Sequence, residues 1–160
     1  MALIFSSRCA INVRAQRFVL DASVALEWFL PSAAAHAKAY ANDILAGIVR
    51  ERLSPLVPEF WHYEVGSVLL KSRRSGVIGA VKLRNALALL ESLQAEVYAV
   101  QLSAAEVVDA GLRFNLQGYD AVYFELARRL GSSIASLDAG IRTACAAHKV
   151  SLLEVELVGR

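Results

Sequence analysis

Four carboxylates, Asp21, Glu64, Asp120 and Asp138, are set apart by their surroundings in the chain. Asp21 and Asp138 each close an apolar run (Phe18-Val19-Leu20, and Ile134-Ala135-Ser136-Leu137), and each precedes a helix pattern. In open parallel sheets, ligands bind at the carboxyl ends of the strands, so acids placed there can meet one. A helix N-cap accounts for either aspartate as well, because Asp there accepts backbone N–H bonds and offsets the helix dipole. Asp120, after Gly118-Tyr119 and before Ala121 to Leu130, admits the same explanation. Glu64 is harder to explain structurally. Positions three and four apart share a helix face, which puts Glu64 with Phe60, Trp61 and Val68 on an apolar stripe. Lys71 is about two turns away, so no cation faces Glu64 on its C-terminal side. A half-buried, unpaired carboxylate is costly unless a charge partner or a metal ion is supplied.

If the four converge, their mutual repulsion of ~4 kcal/mol per pair at about 4 Å and an effective dielectric near 20 calls for a cation. Ligation by oxygen alone suits Mg2+ or Mn2+ rather than zinc. Competing chemistries have little to build on. His36, His62 and His148 show no HxxxH or HExxH spacing, and no phosphate-cradling glycine loop or nucleophile elbow is present. Asp21-Ala22-Ser23 lacks the second aspartate of aspartate-nucleophile phosphatases, and neither Ser23 nor Ser136 has an identifiable base.

The elements that must position these acids follow from the apolar pattern. Of the 160 residues 56% are hydrophobic and 20% charged, enough to bury one sizeable core and too apolar for a disordered chain. The longest stretch without a charge runs only from Trp28 to Ala37, short of a membrane span. No secretory signal pattern opens the chain, and Cys9 and Cys145 have no partner spacing, as expected of reduced thiols in a cytoplasmic protein. A net charge of +2 is too small to hold nucleic acid by charge alone.

Residues 1–16 read as an N-terminal extension and residues 17–160 as one domain. Arg17 to Asp21 reads as a strand, followed by a short helix that Pro31 ends, a helix over Ala33 to Arg52 and a strand over Leu53 to Val57. Pro58 opens a helix that runs to about Arg74, where Ser75-Gly76 caps it. Then come a helix over Ala80 to Gln94 and a strand over Val97 to Val100. A helix with a Ser103/Glu106 capping box ends near Asn115, and another, capped by Asp120, ends at Gly131. Strands over Ser132 to Leu137 and Val150 to Leu153 bracket a helix over Asp138 to His148. This alternation predicts an α/β fold with a central, mainly parallel sheet flanked by helices.

Phe18-Val-Leu-Asp-Ala-Ser-Val-Ala-Leu-Glu-Trp-Phe-Leu-Pro31, Pro58-Glu-Phe-Trp-His-Tyr-Glu-Val-Gly-Ser-Val-Leu70, Gly118-Tyr-Asp-Ala-Val-Tyr-Phe-Glu-Leu-Ala127 and Ser136-Leu-Asp138 together resemble the successive motifs of PIN domains. Within that family they are most similar to VapC toxins of bacterial type II toxin–antitoxin pairs. The resemblance spans about Phe18 to Leu153 and implies a PIN-like three-layer sandwich. It further implies an Mg2+-dependent endoribonuclease whose metal is held by Asp21, Glu64, Asp120 and Asp138, with Ser23 and Ser136 steadying the first shell of ligands. Ser136 stands where many members have Thr, and Glu27 where relatives often carry Lys. The partners so implied are RNA, a small antitoxin protein and a second copy of the chain.

Lys71, Arg73 and Arg74 are candidates for flanking phosphates, although a solvated helix end explains them equally. Trp28, Phe29 and Leu30 are candidates for an apolar partner groove. Two other functions compete. One is a regulatory binding module on the same fold with the acids as helix caps, and the other a metal-dependent phosphatase acting on small esters.

Overall fold

A computed structural model of the chain describes residues 15–155 apart from Ala33. Its order is β1 (Gln16–Leu20), α1 (Ala22–Glu27), α2 (Ala35–Val49), β2 (Leu53–Pro58), α3 (Trp61–Arg74), α4 (Ala80–Ser92), β3 (Glu96–Tyr98), α5 (Ala104–Phe114), α6 (Gly118–Leu130), β4 (Ser133–Ala135) and α7 (Ala139–His148). The four strands form one sheet in the order β3-β2-β1-β4, every pairing parallel. Helices flank it, as in a three-layer α/β sandwich. No described helix is long and apolar enough to cross a membrane.

β1 is central. Phe18, Val19 and Leu20 are fully buried between β2 and β4, which is why a five-residue strand can be apolar on both faces. Full burial of such side chains stabilises the fold by ~1.5–3 kcal/mol each. α6 packs against β1, β2 and β4, and is buried continuously from Ala121 to Ala127. Between β1 and β4 the strand order reverses, since β2 and β3 lie to one side of β1 and β4 to the other. Such a reversal opens a crevice beyond the carboxyl ends of the two strands.

The structure revises several expected boundaries. Gln16 belongs to β1, where its N–H donates to the Arg52 carbonyl at 2.8 Å, so the first strand begins one residue before the expected boundary at 17. The rest of the expected extension, residues 1–14 with Cys9, lies outside the described residues, whereas Cys145 is buried. Pro58 ends β2 rather than opening α3. It pairs in register with Tyr98, and Glu59 N–H then bonds to the Tyr98 carbonyl at 3.2 Å, which carries the chain one step further along the sheet before the helix turns. The N-cap of α6 is Gln117, not Asp120. Gly118 takes a positive φ of 44° and lets the helix start three residues earlier, leaving Asp120 in the first turn. The expected last strand is a single parallel bridge between Leu152 and Ile134. Elsewhere local rules hold. Ser103 and Glu106 form the capping box, and Gly131 closes α6 in the left-handed conformation.

Candidate active site

The four acids come from four separate segments. Asp21 follows β1, Asp138 follows β4 as the N-cap of α7, Glu64 lies in the first turn of α3, and Asp120 in the first turn of α6. Strand order puts the ends of β1 and β4 side by side, which brings Asp21 and Asp138 to the crevice at the reversal. Asp21 is buried, and the other three are half-buried. The buried stripe of α3 is Trp61, Val65 and Leu69, and Glu64 borders it with Phe60 and Val68.

Hydroxyl groups hold the centre together. Ser23 Oγ and Ser136 Oγ both donate to Asp21 Oδ2, each at 2.6 Å. Ser23 Oγ accepts the Leu137 N–H at 3.0 Å, and Ser136 Oγ accepts the Asp138 N–H at 3.0 Å. Each hydroxyl therefore ties the end of β1 to the segment after β4. Asp138 Oδ1 accepts the Ile141 N–H at 2.9 Å, so it does cap its helix. Asp21 caps α1 through a long 3.4 Å bond from Ser23 N–H to Oδ1. Glu64 Oε2 accepts the Tyr123 hydroxyl at 2.6 Å, a contact the sequence reading missed. Its signal was Tyr123 three residues after Asp120, on the same face of one helix.

Charge distinguishes these acids from an ordinary buried carboxylate. Glu125 is buried, with Arg128 and Arg129 on its oxygens at 2.7–2.8 Å. The Arg128 hydrogen bond, with help from Arg129, brings its carboxyl down to about 2. Among the described residues, none of Asp21, Glu64, Asp120 and Asp138 has an ion pair. Arg142 reaches the Ser136 carbonyl at 3.2 Å instead. Asp120 is pushed up to about 6, by burial first and then by the charges of Asp138, Asp21 and Glu64. Burial also raises Glu64, which the Tyr123 hydroxyl opposes and the charge of Asp21 reinforces. For Asp21, burial outweighs its hydrogen bonds from Ser136 and Ser23. The charges of these acids thus act on Asp21, Glu64 and Asp120, and no ion pair with a described residue offsets them.

The donor set matches a hard divalent cation in chemistry. Asp21 Oδ2, Glu64 Oε2 and Asp138 Oδ1 are each held by the protein, while the second oxygen of each accepts no bond shorter than 3.4 Å from the described residues. Neither oxygen of Asp120 accepts one at all from them. The oxygens are not, however, drawn together around a single point. Among the described residues no group of three His, Cys, Asp or Glu side chains is set to hold a metal ion.

The outlying candidates fall elsewhere. Lys71, Arg73 and Arg74 are exposed in the last turn of α3, with Arg74 about 15 Å along the axis from Glu64. Phe29 is a core residue at 6% exposure, not a groove-lining one, because the turn after α1 drives it inward. Trp28 and Leu30 pack half-buried against that core, and the Trp28 ring N–H donates to the Ala41 carbonyl at 2.7 Å.

No family model and no curated protein matches the chain. Among solved structures it is similar to PAE2754 from Pyrobaculum aerophilum, with a TM-score of 0.59 and 23% identity over 87% of this chain and 83% of that one. At this identity the likeness establishes a shared α/β fold.

Proposed function

We propose that this chain is a metal-dependent endoribonuclease of the PIN type, the toxin member of a toxin–antitoxin pair acting in the cytoplasm. The observation that carries the reading is the set of four carboxylates from four segments, none in an ion pair among the described residues, with burial and the charges of neighbouring members of the set raising Asp21, Glu64 and Asp120. Helix capping accounts for part of Asp21 and Asp138. It accounts for neither Glu64 nor Asp120, which cap nothing.

In this reading Asp21, Asp120, Asp138 and Glu64 would hold Mg2+ or Mn2+, which would supply Lewis-acid chemistry at the phosphate and at a bound water. The residues of the chain orient and balance that chemistry. Ser23 and Ser136 hold Oδ2 of Asp21, leaving Oδ1 with only the long 3.4 Å bond from the Ser23 N–H. Tyr123 holds Oε2 of Glu64, leaving Oε1 to accept a proton as general base. The cap bond to Ile141 fixes Asp138 by Oδ1 and leaves Oδ2 without a bond from the described residues. Lys71, Arg73 and Arg74 are far enough away to contact only flanking phosphates.

The expected partners are RNA, a small antitoxin and a second copy of the chain. Induced alone in a bacterium, the wild type should arrest growth and release new RNA ends, while Asp21→Asn at equal protein level should do neither. Equal arrest by both would end the nuclease reading. In its native setting the protein should co-purify with a small neighbour-encoded protein, as a dimer by light scattering. Chelator-sensitive hydrolysis of a generic phosphate ester, with RNA left intact, would favour the phosphatase alternative.

A further inference from the structure

Tyr119 and Phe60, joined to the carboxylates through Asp120 and Tyr123, have no part in the catalytic reading. Tyr119 immediately precedes Asp120, so their α-carbons are about 3.8 Å apart. Its ring is 60% exposed yet not loose, since it stacks on Phe60 with centroids 4.6 Å apart and planes tilted by 31°. Phe60 in turn meets Tyr123 edge-on at 5.3 Å, and Tyr123 holds Glu64. Phe60 also anchors the first turn of α3, where its carbonyl accepts the Glu64 N–H at 3.1 Å. One face of Tyr119 is therefore backed by a ring, fixed in register with two of the four acids, while the side chain remains largely open to solvent. Aromatic pairing alone would explain the contact with Phe60, but burial would then be the more favourable outcome for so large a ring.

We infer that Tyr119, backed by Phe60, is a stacking platform for an unpaired nucleobase beside the scissile phosphate. The inference rests on the nuclease reading for its phosphate chemistry. Every base offers a π-face, so stacking is tolerant of sequence, but a base inside a duplex is already stacked and cannot reach the ring. With a net charge of +2, the protein has little electrostatic affinity to spare, and a stacked base supplies binding that charge does not.

The test is fluorescence anisotropy of a labelled single-stranded RNA ten-mer and of its duplex, with EDTA and with Ca2+, on wild type, Tyr119→Phe and Tyr119→Ala. Melting curves check that each variant is folded. Wild type and Tyr119→Phe should bind the single strand alike. Tyr119→Ala should bind it about 5- to 150-fold more weakly, with duplex binding unchanged. In Mg2+ the KM of Tyr119→Ala for the single strand should rise with kcat kept. Equal binding by wild type and Tyr119→Ala in both arms, or a wild-type preference for duplex, overturns the platform. Hydrolysis with Tyr119-independent binding would remove the platform alone. Tyr119-dependent binding with no hydrolysis in Mg2+ would remove the nuclease reading and leave the platform.

Discussion

The Ser136 hydroxyl donates to Oδ2 of Asp21 at 2.6 Å, joining two buried residues 115 positions apart at the point where β4 meets β1. The same hydroxyl accepts the Asp138 N–H, so one small side chain fixes both aspartates. Ser136→Ala should cost ~1.5–3 kcal/mol, because a buried carboxylate loses a charge-assisted bond and a backbone N–H loses its acceptor. For a chain of this length that is a fall in melting temperature of roughly 3–12 °C, readable by calorimetry. A melting curve that overlays the wild type would show that the hydroxyl holds neither group.

Tyr123→Phe keeps the ring and its packing on Phe60 but frees Glu64 Oε2. Loss of a partner that orients a site carboxylate commonly lowers activity 10- to 100-fold. RNA turnover in Mg2+ should fall by about that factor while far-UV circular dichroism stays unchanged. Full turnover would detach Glu64 from the reaction.

Asp120 is lifted from 3.8 to about 6, by burial first and then by the charges of Asp138, Asp21 and Glu64. An acid whose folded value exceeds its unfolded one binds its proton more tightly when folded. The folded state therefore loses stability as pH rises between those two values. In chelator, the melting temperature should decline from about pH 4 to pH 6 through this group, with burial of Glu64 and Asp21 adding in the same direction. Asp120→Asn should flatten that decline and melt higher than wild type at pH 7, against the general tendency of substitutions to destabilise. Identical pH profiles would show that the four charges do not meet.

Divalent metal should reverse that ranking. Mg2+ at ~100 times its dissociation constant should add about 2.7 kcal/mol to the wild type, or roughly 5–10 °C. Asp138→Asn keeps its cap, since Asn Oδ1 can accept the Ile141 N–H as well as Asp does, yet it should lose much of the metal shift. Melts in EDTA, in Mg2+ and in NaCl of matched ionic strength measure this, and equal Mg2+ shifts in both proteins would remove Asp138 from the site.

What the chain determines on its own is mostly what neighbours within a turn of helix can decide. The Ser103/Glu106 capping box, the left-handed stop at Gly131 and the apolar run of β1 ending in Asp21 are local, and all are legible. So is the alternation that makes the sheet parallel, and with it the placing of Asp21 and Asp138 after strands. Strand order is different. β3 and β4 are three residues each, too short to carry a pairing preference, and nothing local tells β4 to add beside β1 rather than beyond β3. Burial of the apolar face of α6 against β1, β2 and β4 belongs to the tertiary structure, and with it come the contacts that build the site. Ser136 meets Asp21 across 115 residues and Tyr123 meets Glu64 across 59. Phe60 likewise backs Tyr119 from another helix. The same long-range packing turned Phe29 into the core and carried Pro58 into β2, because side chains and strand ends settle where the whole sheet buries most surface, which no short window of sequence contains.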